Sequence, residues 1–339
     1  MFSYPARLLF LVSLVMGTLI SISSNSWFGA WVGLEVNLLS FIPLLSNKNM
    51  LATEAALKYF LTQAMASIFL FTSIILYLAY FKLFIFEIPS FPVSLLFCTA
   101  LLVKLGAAPL HFWFPGVMEG SSWMNNIILM TWQKLAPVIL ISYVFSMSLF
   151  SYIIICLSIM VGAVGGLNQT SLRKIMAYSS INHLGWILSG LVTSNPAWLV
   201  YFSFYSFLSV SIVSLFNHLQ LTQFGQLFLI DDTNGVNKIM LFSNFLSLGG
   251  LPPFVGFFPK WLIIQGLAME GLVLLAIFST CVTLLVLFYY MRIFFPAILV
   301  STYISKWHFK SPRWSSLNTI FGVVSLLSLP LFPLFYLFL

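Results

Sequence analysis

Five ionisable residues of this sequence fall near the middle of long apolar runs: Glu35, Lys104, Lys134, His183 and Lys260. A charged side chain at a bilayer centre costs roughly 2.5–3.5 kcal/mol on insertion scales. Such a group is tolerated when it is paired or when it gives up its charge. One acid among three lysines and a histidine therefore suggests groups that pass a proton along. Glu35 and Lys104 are the natural opposite-charge pair, since a lone buried ion of either sign is unfavourable. Lys134 has no obvious partner acid. The static alternative is that these are permanent ion pairs locking helices together and that His183 is an ordinary hydrogen-bonded core histidine. Arg7, Lys48, Lys58, Lys82, Arg173, Lys174 and Arg292 stand closer to span ends and can snorkel to an interface. His218 and His308 look interfacial as well.

Two of the lysines adjoin helix-breaking motifs. Lys104 opens KLGAAPLHFWFP, and Lys260 follows LGGLPPFVGFFP. Proline removes a donor and clashes with the preceding turn, and glycine relaxes the backbone around the break. The break residues are Gly106 and Pro109 in the first copy and Gly249, Pro252 and Pro253 in the second. The backbone groups they free cannot face lipid, so they must be buried in protein or line a wet cavity. His111, at the first break, is a candidate to line that cavity. The motifs align with Leu105 on Leu248, an offset of 143 residues.

The elements that must position these groups are membrane helices. Of 339 residues, 61% are apolar and 6% are charged, with a mean hydropathy of +1.06. A soluble domain carries about 25% charged residues, so the fold class is all-α and polytopic. Eleven spans are predicted, at 4–22, 26–46, 54–80, 92–117, 122–142, 146–167, 171–193, 197–220, 238–268, 272–295 and 316–337. The fourth and ninth are overlong and interrupted. An odd number of spans separates the two motifs, so they run in opposite directions. That is the signature of inverted repeats with discontinuous helices near Pro109 and Pro252/Pro253. The expected division is 1–142, then 143–295, then a loop and last span over 296–339.

Loop charge orients the chain. Lys48, Arg173, Lys174, Lys238, Lys306, Lys310 and Arg313 fall on one side, and Lys82, Glu87 and Glu270 on the other. Positive charge stays on the side of synthesis, which puts the N-terminus on the cytoplasmic or matrix side. The net charge of +7 is therefore read by loop and does not point to nucleic acid. Asp231 and Asp232 weigh little in the rule. Lys306, Lys310 and Arg313 could hold an anionic lipid such as cardiolipin. The start of the chain reads as the first span, not a cleaved signal. Cys98, Cys156 and Cys281 form no C-x-x-C pair, so no metal or cofactor site is expected. Gly162, Gly165 and Gly166 suit close helix packing. Trp27, Trp198 and Trp307 look like interfacial anchors.

KLGAAPLHFWFPGVMEG (104–120), WQKLAP (132–137), RKIMAYSSINHLGW (173–186) and GGLPPFVGFFPKW (249–261) together resemble the NADH dehydrogenase subunit 2 family of mitochondrial respiratory complex I. The resemblance covers nearly the whole chain. It implies an antiporter-like membrane-arm subunit of the H+-translocating NADH:ubiquinone reductase, made inside the organelle and resident in the inner membrane. It casts Glu35 and Lys104 as a coupled pair, Lys134 as the central relay and Lys260 as the link to the outer or neighbouring half-channel. It places NADH, FMN, the iron–sulfur clusters and ubiquinone on other subunits, and makes neighbouring antiporter-like subunits the partners. Open beside it stand a free-standing cation/proton antiporter, a purely structural subunit and, last, an enzyme acting on quinone or lipid.

Overall fold

A computed structural model describes residues 5–46, 49–81, 91–193, 196–229 and 236–299. The predicted eleventh span and the charges at Lys48, Lys82, Glu87, Asp231, Asp232, Lys306, Lys310 and Arg313 lie outside them, as do His308 and Trp307. The described chain is helical, with one isolated bridge between Ser171 and Gln223. It falls into two compact units divided between Ser151 and Tyr152.

The first unit holds α1 (Pro5–Ser23), α2 (Trp27–Leu45), α3 (Met50–Phe81), α4 (Phe91–Leu105), α5 (Trp113–Gly120), α6 (Trp123–Met130) and α7 (Trp132–Ser142). The second holds α8 (Leu149–Leu167, begun at the boundary), α9 (Leu172–Val192), α10 (Ala197–Leu219), a 3₁₀ turn (Phe224–Leu229), α11 (Val236–Gly249), α12 (Phe257–Met269) and α13 (Val273–Leu299). Among the described residues seven candidate spans are long and apolar enough to cross a membrane: α1, α2, α3, α6 with α7, α8, α10 and α13. The predicted fourth and ninth spans are each two helices parted by a break: α4 and α5, α11 and α12.

The predicted fifth span is also interrupted, which the sequence reading did not foresee. It parts at Thr131 between α6 and α7. Pro137 lacks the amide that would bond Gln133 four residues back, and its ring crowds that carbonyl. The helix yields just before Lys134.

In the first unit, glycines bring α1 against α2. A Cβ at Gly33 would lie 2.5 Å from Ser21 N and 2.7 Å from Gly17 O. Backbones that close give the van der Waals packing that holds helices together in lipid. Trp31 Nε1 donates to Ser67 O (3.2 Å), tying α2 to α3, and Asn125 Nδ2 donates to Leu44 O (2.8 Å), tying α6 to the end of α2. Trp27, expected as an interfacial anchor, is instead buried against Phe97, ring centroids 4.5 Å apart. In the second unit α9 is buried on all sides from Ser179 to Gly190, the mark of a central helix. Gly162 and Gly165 receive it, the first against Asn182 and the second against Tyr178. Hydroxyls along these helices bond their own backbone, as Ser179 does to Met176 O (2.8 Å) and Ser180 to Ala177 O (2.7 Å), so they present no bare polar group.

The α1–α2 contact yields a test. Gly33→Ala puts a methyl into backbone that cannot give way, and we expect a loss of about 1–3 kcal/mol. Thermal unfolding of the purified protein measures it, with Gly225→Ala, where nothing lies within 4 Å, as the reference.

Candidate functional site

The first break closes α4 with a left-handed glycine. Gly106 has φ +73°, and its N–H donates to Leu102 O (3.0 Å) and Val103 O (3.1 Å). Ala107 N–H reaches back to Leu102 O (3.2 Å). This is a Schellman closure, which needs the glycine because a side chain at that φ is strained. The chain then turns through Pro109, after a cis Ala108–Pro109 bond, and His111 into α5. Lys104 sits in the last turn of α4, where the carbonyl end of a helix favours a cation.

Lys104 and Lys134 line the same cavity. Its wall includes Asn37, Tyr59, Gln63, Phe114 and Gln133, and about 20 Å³ of it is open to the centre of a water molecule, room for one or two waters. Both lysines are buried. A chain of neutral polar groups runs along the wall: Tyr59 OH donates to Gln133 Oε1 (3.3 Å), and Gln133 Nε2 donates to Asn37 Oδ1 (2.9 Å). Gln63 Nε2 donates to the carbonyl of Lys104 (3.4 Å), one of the groups the break sets free. Lys104 Nζ itself has no hydrogen-bond partner among the described residues. Lys134 Nζ stands 5.0 Å from the ring centroid of Phe114, within cation–π range.

Glu35 does not join Lys104 in a direct ion pair. Among the described residues neither is in a recorded ion pair within 4.0 Å, as Glu54 and Lys58 are on the exposed face of α3. Leu34, Asn37 and Leu38 turn into the cavity on the face that a spacing of three and four residues defines. Glu35 falls off that face and is half-buried. His111 is buried at the break but is not part of the cavity wall.

The second break repeats the backbone design of the first. Gly250, at φ +76°, donates to Ser247 O (3.0 Å), and Leu251 N–H reaches Leu246 O (3.3 Å). The turns that follow match too, with Leu110 N–H on Ala107 O and Phe254 N–H on Leu251 O. The structure therefore aligns Gly106 with Gly250, 144 residues on, one more than the motif comparison indicates. Pro109 then matches Pro253 and Pro115 matches Pro259. Gly249 is the residue before the left-handed one.

Lys260 is buried and caps this break. Its Nζ donates to Gly249 O (2.8 Å) and Leu248 O (3.4 Å) and lies 6.0 Å from the Trp186 ring centroid. His183, one turn before Trp186 on α9, shares a hydrogen bond with Tyr201 OH through Nδ1 (2.8 Å). His183, Tyr201 and Tyr205 line a second cavity with Ser247, Leu248 and Pro259, about 10 Å³ of it open to a water centre. The structure thus groups Lys104 with Lys134, and brings His183 to the break that Lys260 caps. Asn37, Tyr59, Gln63, Gln133 and Gly250 escaped the sequence reading. Uncharged amides at mid-span were the available signal for three of them.

The NADH:quinone oxidoreductase/Mrp antiporter transmembrane family matches residues 24–286. The chain is 49% identical over 334 residues to NADH-ubiquinone oxidoreductase chain 2 of Anopheles gambiae, covering 97% of each. It is 39% identical over 338 residues to the chain of that name from Loxodonta africana, covering 96% of each. Among solved structures, a chain of respiratory complex I from Thermus thermophilus superposes with a TM-score of 0.87 at 23% identity, over 98% of this chain and 81% of that one. A chain of the Mrp complex from Dietzia sp. gives 0.77 at 17% identity, over 86% and 60%. At those identities the structures speak for the fold alone.

The two lysine environments predict different stability effects. Lys260→Met strips two carbonyls of their donor and should cost about 1–3 kcal/mol. Lys104→Met removes a buried ammonium that has no hydrogen-bond partner among the described residues and should be close to neutral. Thermal unfolding of both variants in detergent checks the order.

Proposed function

The chain belongs to the NADH:quinone oxidoreductase/Mrp antiporter transmembrane family, and we propose that it is a core membrane-arm subunit of respiratory complex I that couples NADH:ubiquinone electron transfer to proton translocation. It is a multi-pass protein of the mitochondrial inner membrane. On this reading the N-terminus faces the matrix, and the two units are inverted repeats, each built around one broken helix. Electron carriers and quinone reside on other subunits, and the partners are membrane-arm subunits, neighbouring antiporter-like ones among them, with membrane lipid around.

The observation that carries the reading is the cavity that Lys104 and Lys134 share beside the first break, walled by amides and roomy enough for water. A change of charge elsewhere in the complex alters the field at Glu35. Glu35 acts on Lys104 without binding it, so the balance between them shifts without a bond having to break. Lys104 has no hydrogen-bond partner among the described residues and can release or accept a proton by way of water in the cavity. The Tyr59–Gln133–Asn37 chain holds the wall polar and gives that water partners. Lys134 receives the proton, with Phe114 stabilising its cation. His183 and Lys260 serve the second half of the route at the other break.

A static pair would hold Lys104 and Glu35 within ion-pair distance, and the lack of a recorded pair between them among the described residues supports the relay reading. The test is Lys134→Met in the assembled complex, reconstituted in liposomes. Assembly should be normal, and protons moved per NADH oxidised should fall. An unchanged proton ratio would sink the relay and leave this subunit a structural role.

A further inference from the structure

Lys260 reaches its two carbonyls by folding back over the turn at Gly250. A Cβ at Gly250 would lie 2.8 Å from Lys260 Cδ, 2.9 Å from Nζ and 3.0 Å from Cε. The side chain runs through the space that a larger residue would fill. Two other glycines share this backbone state and differ in what surrounds them. Gly106, at φ +73°, would meet ring atoms of Trp113 at 3.3 Å and Phe114 Cβ at 3.4 Å, and Gly271, at φ +75°, has nothing within 4 Å. Of the three left-handed glycines among the described residues, Gly250 is the one whose bare Cα makes room for a charge.

We infer that Gly250 is a positioning residue for Lys260, seating its ammonium on the open carbonyl end of α11. This rests on the reading of Lys260 as a relay group. The atoms in the way belong to a flexible arm, so a methyl at Gly250 displaces the lysine more readily than the backbone. Displacement takes the cation from the helix C-terminus, where carbonyl dipoles favour it. It also leaves Gly249 O and Leu248 O without their donor. In the first unit the matching carbonyl, that of Lys104, is taken by the neutral Gln63 amide. A relay lysine doubles as the cap in the second break alone, so the slot at Gly250 has no counterpart in the first.

The experiment compares Gly250→Ala, Gly271→Ala and Lys260→Met in the assembled complex, reconstituted in liposomes and scored as protons moved per NADH oxidised. Gly271→Ala carries the same backbone strain with no lysine nearby. We expect Gly250→Ala to lower the ratio by the fraction that Lys260→Met does, and Gly271→Ala to keep the wild-type ratio. If Lys260→Met lowers the ratio and Gly250→Ala does not, the inference is wrong and the relay stands. If Lys260→Met leaves it unchanged, the relay reading of Lys260 fails and this inference with it. Should Gly250→Ala not assemble, Gly250→Asn replaces it, since asparagine tolerates the left-handed turn yet still fills the slot. A density map of that variant should show Lys260 Nζ moved off Gly249 O; finding it still within hydrogen-bond distance overturns the inference.

Discussion

In hydrocarbon a backbone N–H or C=O must find its partner inside the protein. The broken helices of this chain put that rule under strain, because each break frees carbonyls in the middle of a span. Everything chemical here gathers around how those carbonyls are met. Glycines in the left-handed turn close the last turn of α4 and of α11 on themselves. Side chains also reach the carbonyls of those last turns: Gln63 and Trp113 in the first unit, Lys260 in the second.

The two solutions differ in a way that matters for charge. In the first unit a glutamine and an indole meet these carbonyls, and the nearby lysine has no hydrogen-bond partner among the described residues beside a cavity that can hold water. In the second the lysine caps, so its cation is fixed against the helix end, with a histidine lining the adjoining space. An unbonded lysine can exchange a proton with water at once, whereas a seated one must first let go of its carbonyls. Burial alone would not separate these roles, because Lys104, Lys134 and Lys260 are all buried.

Much of this is legible in the sequence alone. Composition declared the membrane, and the Pro–Gly motifs marked both breaks, because a missing donor is a local fact of sequence. The deep charges were found by position along apolar runs. The pairing of Glu35 with Lys104 was inferred from the unfavourable burial of lone ions, and that argument cannot see which face of α2 turns inward. The repeat register was off by one because matching letters favoured Leu105 on Leu248, while the hydrogen bonds pair the two left-handed glycines. Thr131 was missed because Pro137 sits six residues from where the helix parts. The amides at Asn37, Gln63 and Gln133 were passed over because neutral groups raise no alarm in a charge census, yet they make the cavity polar.

The central claim is that Lys104 and Lys134 exchange protons through water in the cavity they share. A high-resolution density map of the assembled complex tests it most directly. The account predicts ordered water between the two ammonium groups, bonded to Gln63, Gln133 or Asn37. A dry cavity, with each lysine locked to one acid or carbonyl, would contradict it.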